Sequence, residues 1–434
     1  MRAWIAVTLT LGVAASACGS EPEPAAVTGP PASPISSALC SPVAYGGPGR
    51  PQFLIVNSTG LQGIYKGHGV QTGQAIKLVL AQRGWHAGPY TVGLQMCEET
   101  SAETESPSPE KCARNARAFA ENRSVMGVVG PLTSSCATHM LAILNRAPGG
   151  PLATISGGNT YVGLTRSGAA TADDEPQKYV PTGRRGYARL APTDDVQGAA
   201  NALYAQRLGA QRAFVVEHDD PYGRGLAGDY RAAAERIGLP VVGSARWNER
   251  SRNYRAIGER ARAAGADTVF VAGDVAADGP KLIADLTAVL GPDVRFFAGD
   301  SFNLAEPLVE AAGSRVDGLR ISIAVLPNTQ LPPAGRRFVR EFERRFSQRP
   351  CCFSVHDAQA THMLLDAIAQ SGGSRSRVSE SVMKARVRGG LIGDFMIDAN
   401  GDTTLNQIAI YRIERGRLRF ETAITPGREH LGRD

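Results

Sequence analysis

The chain contains 434 residues, of which 43% are hydrophobic and 20% are charged. This composition excludes an intrinsically disordered protein and allows two or three domains with large buried cores. Its 47 Lys and Arg residues are nearly matched by 41 Asp and Glu residues, so nucleic-acid binding is not indicated. Beyond the first twenty residues, no apolar run is long enough to predict a membrane-spanning helix. We therefore expect a soluble globular body.

The N-terminus shows the pattern of an exported protein. Arg2 precedes an apolar stretch at residues 4–17, and three small residues lead directly to Cys18. This pattern is similar to the acylation site of bacterial lipoproteins, so we predict a lipoprotein signal peptide at 1–17 and a lipid on Cys18. Ordinary signal cleavage that leaves an unmodified cysteine is the alternative. The Pro-rich residues 18–50 then form a solvated, lipid-anchored tether, which holds an extracytoplasmic body at the outer face of the bacterial cell membrane.

Six further cysteines remain, and an even count is typical of disulfide bonds in an exported chain. Six cysteines allow fifteen pairings, among which the sequence does not choose, but three of them lie close together in one predicted lobe and favour a bridge there. None has the CxxC spacing of a zinc site, and the histidines are scattered, so no metal or other cofactor is expected. The six are Cys40, Cys97, Cys112, Cys136, Cys351 and Cys352.

Strand and helix patterns alternate along the body of the chain. A polar, Gly-rich interval at residues 157–187 separates a first series of segments from a second one. Both series repeat the order strand, crossover helix, strand. This order predicts an α/β fold with two doubly wound parallel-sheet lobes and a ligand cleft between them. The predicted strands are 52–56, 90–94, 125–129, 152–155, 213–216, 240–243, 268–272 and 294–298, and the helices of the first series are 69–83, 111–121 and 136–144.

Polar segments follow four of these strands, at the end where such folds bind ligands. Helix capping is an alternative role for each segment, because Ser, Thr, Asp and Asn are preferred at helix starts. Four segments on the same side of both sheets favour a ligand site, and hydroxyls at a helix start suit an anionic group. The segments are 130–136, 156–160, 219–223 and 299–301.

The order and spacing of these segments resemble the type I periplasmic binding proteins, and most closely the branched-chain amino-acid (leucine-binding) family of ABC transporters. The resemblance extends from about residue 51 to residue 425. It implies a two-lobed clamp that captures a small solute and delivers it to the permease and ATPase subunits of an importer. The residues that show it are Gly130-Pro131 with Ser134-Ser135, Ile155-Ser156 with Asn159-Thr160, the stretch 194–198, and Tyr222-Gly223.

The resemblance also implies a domain organisation with a three-strand hinge. Lobe 1 would comprise residues 51–188 plus about 326–396, and lobe 2 would comprise 189–325 plus about 397–425. The crossovers between lobes would lie near 188–191, 322–327 and 395–400.

The same resemblance implies which residues hold the ligand. Ser134, Ser135 and Thr160, with Asn159 beside them, would hold the α-carboxylate of an amino acid. Asp300 would hold the ammonium group, and both lobes would contribute an aromatic residue. The predicted ligand-binding residues are Tyr65, Ser134, Ser135, Asn159, Thr160, Tyr222, Asp274 and Asp300.

The chain departs from the family pattern at two acids. Asp300 stands where the family usually has Glu, and Asp274 stands where an aromatic wall is common. A second acid either favours a more polar or cationic ligand or is simply solvated, so the ligand is an amino acid or an analogue and leucine is not assumed. The acidic segment 98–110 is predicted to be a surface loop with no clear role.

An enzyme is not indicated, because the chain has neither a Gly-x-Ser-x-Gly nucleophile elbow nor a phosphate-binding loop. His218 lies beside two acids, but no nucleophile is spaced to suit it. Two alternatives to import remain: a ligand-sensing ectodomain that partners a membrane receptor, and a binder of a non-amino-acid amide or organic acid. A clamp that docks freely is expected to be a monomer.

Overall fold

The computed structural model describes residue 1 and residues 29–251, 253–351 and 353–431. Residues 2–17 of the predicted signal peptide, the predicted acylation site Cys18 and also Cys352 lie outside the described residues. The helices are α1 (Lys66–Gln82), α2 (Pro109–Glu121), α3 (Ser134–Asn145), α4 (Asp194–Arg207), α5 (Pro221–Arg236), α6 (Arg255–Ala263), α7 (Gly279–Leu290), α8 (Ala305–Ala312), α9 (Pro333–Phe346), α10 (Ser354–Ala369) and α11 (Arg375–Met383).

Two large sheets and one hairpin contain the strands. The strands are β1 (Phe53–Thr59), β2 (His86–Ala87), β3 (Tyr90–Glu98), β4 (Val125–Val129), β5 (Thr154–Ser156), β6 (Tyr187–Arg189), β7 (Ala213–His218), β8 (Val241–Trp247), β9 (Thr268–Ala272), β10 (Arg295–Ala298), β11 (Arg320–Ile323), β12 (Arg386–Gly390), β13 (Gly393–Met396), β14 (Ile408–Glu414) and β15 (Arg417–Ile424). Strands β12 and β13 pair with each other.

Each large sheet is mainly parallel and belongs to one lobe. The sheet of lobe 1 has the order β2-β3-β1-β4-β5-β6, in which only β2 is antiparallel to its neighbour. The sheet of lobe 2 has the order β15-β14-β11-β10-β9-β7-β8, and its antiparallel edge is made by β14 and β15. The central strands read as continuous apolar runs because helices cover both of their faces. The predicted α/β class and the doubly wound sheets are confirmed.

Apart from Tyr65 and Phe353, which join the lobe 2 cluster at the cleft, the chain passes between the two largest hydrophobic clusters three times. The core changes from lobe 1 to lobe 2 directly after β6, returns to lobe 1 after β11, and changes again before β14. The last core residue before and the first after each passage are Leu190 and Ala191, Val325 and Leu331, and Ile397 and Ile408.

A buried ion pair braces the hinge at two of these passages. The side chain of Arg189, at the end of β6, is fully buried, and its Nε lies 2.7 Å from Oδ1 of Asp402. The same guanidinium donates to the backbone oxygen of Tyr161 at 2.6 Å. Although burial opposes the charge, Arg189 holds the pKa of Asp402 below its ordinary value. Breaking this pair would leave an uncompensated buried charge, which is strongly destabilising.

The described part of the N-terminal segment, residues 29–50, packs against lobe 1. A disulfide joins Cys40 to Cys97 at the end of β3, and backbone hydrogen bonds of 2.8 and 2.9 Å connect Ala44 with Leu94. Ile35 is buried in the same lobe. The expectation of a solvated tether through residue 50 is therefore wrong for this part, because the disulfide and the apolar contacts attach it to the sheet.

A second disulfide, Cys112–Cys136, joins α2 to α3. The expected bridge among the three nearby cysteines is thus confirmed, and a residue from the N-terminal segment completes the other pair.

Candidate ligand-binding cleft

A cavity lies between the lobes, at the carboxyl ends of their strands. Its volume is about 60 Å³. Seven of the eight predicted ligand-binding residues line it, and Asn159 does not. Lobe 1 contributes Tyr65, His68, Leu132, Thr133, Ser134, Ser135, Gly158, Thr160 and Phe353, and lobe 2 contributes Asp220, Tyr222, Asp274, Asp300, Ser301, Asn303 and Leu304.

The start of α3 supplies polar groups to one wall. Thr133 caps the helix, and its Oγ1 accepts the backbone N–H of Cys136 at 3.2 Å. Ser134 Oγ accepts the backbone N–H groups of Thr160 and Tyr161, each at 3.2 Å. Since a hydroxyl has one proton and can accept twice, the Ser134 proton remains available for donation. Together with the helix dipole, this arrangement suits an anionic group such as a carboxylate.

Asn159 positions the loops of this wall and does not face the cavity. Its Nδ2 donates to the backbone oxygens of Pro131 and Leu132 at 3.1 and 3.0 Å. Its Oδ1 accepts the hydroxyl of Tyr187 at 2.9 Å. The amide is fully occupied by these partners, so in this structure Asn159 braces the turns after β4 and β5 where the sequence predicted a ligand contact.

Glu99 supports the same wall from behind. The segment 98–110 was expected to be a surface loop, but Glu99 at its start is fully buried. Its carboxylate accepts the Ser58 hydroxyl at 2.8 Å and both the backbone N–H and the hydroxyl of Thr133 at 3.1 and 3.2 Å. Burial raises the pKa of Glu99 to about 7. The acid thereby fixes the residue that caps α3.

Asp300 is a buried acid in the lobe 2 wall of the cavity. Its Oδ1 accepts the hydroxyl of Tyr222 at 2.6 Å, whereas its Oδ2 is fully buried and has no hydrogen bond of ordinary geometry among the described residues. Burial raises the pKa of Asp300 to about 6. A cation near a buried carboxylate stabilises its charged form, so this position suits an ammonium group.

Asp274, the other unusual acid, bonds across the cleft. Its Oδ1 accepts the hydroxyl of Tyr65 from lobe 1 and the backbone N–H of Ala276, the latter at 2.9 Å. The Tyr65 hydroxyl also lies 3.0 Å from Ser301 Oγ. Asp274 is buried, so the solvated alternative does not hold in this structure. These contacts link the two lobes directly.

A second direct contact between the lobes involves Ser135. Its hydroxyl donates to Oδ2 of Asp220 at 2.6 Å, and Oδ1 of Asp220 caps α5 by accepting the backbone N–H of Gly223 at 2.7 Å. Nδ1 of His218 lies 3.2 Å from the same carboxylate. Although burial alone would lower the pKa of His218, the Asp220 carboxylate raises it. Ser135 is thus engaged with the opposite lobe in the closed cleft.

Two aromatic residues of the cavity wall carried no sequence signal. His68 lies in the first turn of α1, and Phe353 lies just before α10. Their rings stack with centroids 5.9 Å apart and an interplanar angle of 13°. Gly158 allows Phe353 to approach, because a Cβ at that glycine would lie 3.2 Å from the ring. These residues come from helices remote in sequence, and only their packing in space brings them to the cavity.

Two other features bear on the class of site. No cluster of three or more His, Cys, Asp or Glu side chains within the described ranges is arranged to hold a metal ion. None of the helices in the described part of the chain has the length and apolar character of a membrane span.

Two lobes joined by three passages, with opposed polar groups in the cleft, define a two-lobed ligand-binding clamp. Residues 100–417 match the sequence profile of the family described as periplasmic binding protein. Because the match covers well over half of the chain, the protein belongs to the periplasmic binding protein family.

The sequence relatives of the chain carry the names of amino-acid-binding proteins. The chain is 25% identical over 231 residues to an amino acid binding protein of Pseudomonas aeruginosa, a match that covers 53% of this chain and 60% of the relative. It is 25% identical over 233 residues to a Leu/Ile/Val-binding protein homolog of Brucella melitensis, with 52% and 60% covered. The chain thus spans about three-fifths of the length of the curated relatives it matches. These relatives are binding proteins and not enzymes.

Solved structures show the same fold. The leucine binding protein LivK of Thermotoga maritima aligns with a TM-score of 0.73 and 22% identity, covering 86% of this chain and 99% of that one. LivJ of Streptococcus pneumoniae, in complex with isoleucine, aligns with a TM-score of 0.71 and 16% identity, covering 86% and 100%. A solute binding protein of R. palustris in complex with benzoate has a TM-score of 0.68 and 16% identity, covering 86% and 96%. The fold is that of the type I, leucine-binding members.

Proposed function

We propose that the protein is the extracytoplasmic, lipid-anchored solute-binding component of an ABC importer, and that it captures an amino acid or a related small polar molecule by closure of its lobes. Its partners are then the ligand, the permease and ATPase subunits of the importer, and the lipid membrane through Cys18. The protein would act as a monomer.

The observation that supports this proposal best is the opposition of unlike polar groups across the cavity. The start of α3, with Ser134 and Thr160, offers donors to a carboxylate. Asp300, on the other lobe, offers a buried carboxylate whose Oδ2 has no hydrogen bond of ordinary geometry among the described residues. A zwitterionic ligand needs a donor cluster at one end and a fixed negative charge at the other. Closure satisfies both ends at once, so the ligand shifts the equilibrium toward the closed form.

The names of the relatives agree with an amino-acid ligand. Two of them are named for amino acids or for leucine, isoleucine and valine, and two of the solved structures are named for leucine or contain isoleucine. An organic acid without an amine is the second candidate ligand, because two solute binding proteins of the same fold are complexes with benzoate and 4-hydroxybenzoate.

The first experiment is thermal unfolding of the full mature chain against a panel of amino acids, amides, polyamines and small aromatic acids. A ligand present at one hundred times its Kd stabilises the folded state by about 2.7 kcal/mol, which corresponds to several degrees in Tm. The mature chain is needed because residues 29–50 pack on lobe 1.

Two variants then test the assignment of the two ends. Thr160→Ala should weaken every carboxylate ligand that raises the Tm of the wild type. Asp300→Asn should weaken only the amine-bearing ligands, by more than about 1.5 kcal/mol, as expected for a charged hydrogen bond. Stabilisation by benzoate that Asp300→Asn leaves unchanged would favour the organic-acid candidate. A Thr160→Ala variant with unaltered affinity would refute the site assignment.

A further inference from the structure

The cavity wall contains two fully buried polar side-chain atoms that have no hydrogen bond of ordinary geometry among the described residues. One is Oδ2 of Asp300, to which the proposed function assigns the ligand ammonium group. The other is Nε2 of His68, on the opposite lobe. A polar atom buried without a partner is unfavourable, so both atoms are candidate contacts for a ligand in the closed cleft.

His68 is held rigidly in this position. Its side chain is only 7% exposed, and its ring stacks on Phe353. The next residue, Gly69, brings α1 against the loop after β1, where a Cβ would lie 2.1 Å from the backbone oxygen of Gly60. Burial lowers the pKa of His68 to about 4, so the imidazole is neutral near pH 7 and can donate from one ring nitrogen and accept at the other.

The cavity that His68 lines also has apolar residues in its wall. Leu132 and Phe353 come from lobe 1 and Leu304 comes from lobe 2, and Phe353 stacks on the His68 ring. This combination suits a side chain with a carbon body and one polar group, because the body packs on the apolar wall while the polar group bonds to the imidazole.

We propose that His68 determines specificity by hydrogen bonding to a polar group on the ligand's side chain, so that the ligand is an amino acid with an amide or hydroxyl side chain and not a purely aliphatic one. This inference rests on the proposed function, since it takes Ser134, Thr160 and Asp300 as the partners of the ligand's main-chain groups. It adds a third point of recognition to those two.

The test compares near-isosteric ligands that differ in polarity. Binding of threonine against valine, asparagine against leucine, and glutamine against methionine is measured by calorimetry on the full mature chain. The polar member of at least one pair should bind about tenfold or more tightly, because a site that hydrogen-bonds a polar group discriminates strongly against an analogue that lacks it. His68→Leu should abolish or invert that preference, and His68→Asn should restore part of it.

His356 provides a matched control. It is also buried, and its ring packs edge-on against Phe353 with centroids 6.4 Å apart. One of its ring nitrogens has no hydrogen bond among the described residues. Unlike His68, it does not line the cavity. His356→Leu should therefore keep the polar preference. Circular dichroism of each variant checks that it is folded.

The outcomes separate this inference from the function on which it rests. If the apolar members bind as tightly as the polar ones and Asp300→Asn still weakens them, the role of His68 is overturned and the amino-acid function stands. If His68→Leu weakens both members of a pair equally, its role is structural and the inference fails. If none of the six amino acids binds at millimolar concentration but another ligand of the thermal panel raises the Tm, this inference fails and the solute-binding function stands.

Discussion

At the scale of single residues, the charge of Asp300 decides how binding depends on pH. Burial raises the pKa of Asp300 to about 6 in the ligand-free protein, above its ordinary value of 3.8. This acid therefore favours the folded state most at low pH, and that contribution is lost as the pH rises through about 6. An ammonium ligand binds the ionised carboxylate, so ligand binding favours the deprotonated form of Asp300. Affinity for an amine-bearing ligand should then fall as the pH decreases below about 6, approaching tenfold per pH unit.

The measurement is calorimetric titration of such a ligand between pH 5 and 8, with Asp300→Asn as the control. The variant should bind more weakly at pH 8 and lose most of the pH dependence. Two other buried acids, Glu99 and Asp357, have pKa values raised to about 7 and titrate in the same range. If the variant keeps the full pH dependence, another titrating group and not Asp300 is responsible for it.

Single residues also show which features of the site the sequence could not predict. Ser134, Thr160 and Asn159 all lie in polar turns after strands, and such turns look alike whether a side chain faces the cavity or braces the loop. The structure separates them, because the Asn159 amide is fully used by Pro131, Leu132 and Tyr187. His68 gave no signal because its place in the wall depends on the packing of α1 against α10.

At the scale of elements, the N-terminal segment 29–50 behaves as part of lobe 1. The Cys40–Cys97 disulfide closes a loop of 57 residues onto β3, and the side chain of Gln95 bonds to both backbone groups of Ile35 at 2.9 and 3.0 Å. Replacement of both cysteines by serine should lower the free energy of unfolding by about 2–4 kcal/mol. Ligand affinity should hardly change, because none of these groups lines the cavity. Urea unfolding and calorimetry measure the two quantities.

The other disulfide is the natural comparison. Cys112–Cys136 attaches α2 to the first turn of α3, whose adjacent residues form the cavity wall. Its replacement by serines should reduce both the unfolding free energy and the affinity. Equal losses of affinity from the two double variants would mean that the N-terminal segment does influence the cleft.

The alternation of strands and helices was predictable because buried parallel strands are continuous apolar runs, such as β4 and β9. The attachment of the N-terminal segment was not predictable, since its Pro-rich composition is that of a linker and six cysteines allow fifteen pairings. The segment has the composition of a linker, but the Cys40–Cys97 disulfide keeps it close to the sheet, where Ala32 and Ile35 are buried.

At the scale of the whole molecule, the two lobes are joined across the cleft by their own side chains. Tyr65 bonds to Asp274 and Ser301, and Ser135 bonds to Asp220. These contacts exist only when the cleft is closed, so they favour closure before any ligand contributes. A ligand that binds the closed form then has an apparent affinity that depends on how populated this form is.

Tyr65→Phe removes the hydroxyl that bonds to Asp274 and Ser301 across the cleft, and it leaves the ring in place. A hydrogen bond to a charged group is worth about 1.5–3 kcal/mol, so the variant should shift the ligand-free protein toward the open form and weaken the ligand by roughly tenfold or more. Small-angle X-ray scattering of the ligand-free variant should show a larger radius of gyration than the wild type. Saturating ligand should reduce the difference, because it restores the closed form.

Tyr230→Phe is the matched control for the loss of a tyrosine hydroxyl. Tyr230 is buried within lobe 2, stacks on Phe270 at 4.2 Å, and its hydroxyl has no hydrogen bond among the described residues. Its removal should leave both the radius of gyration and the affinity unchanged. If Tyr65→Phe weakens binding without any change in the ligand-free radius, Tyr65 acts on the ligand directly and closure is driven by the ligand alone.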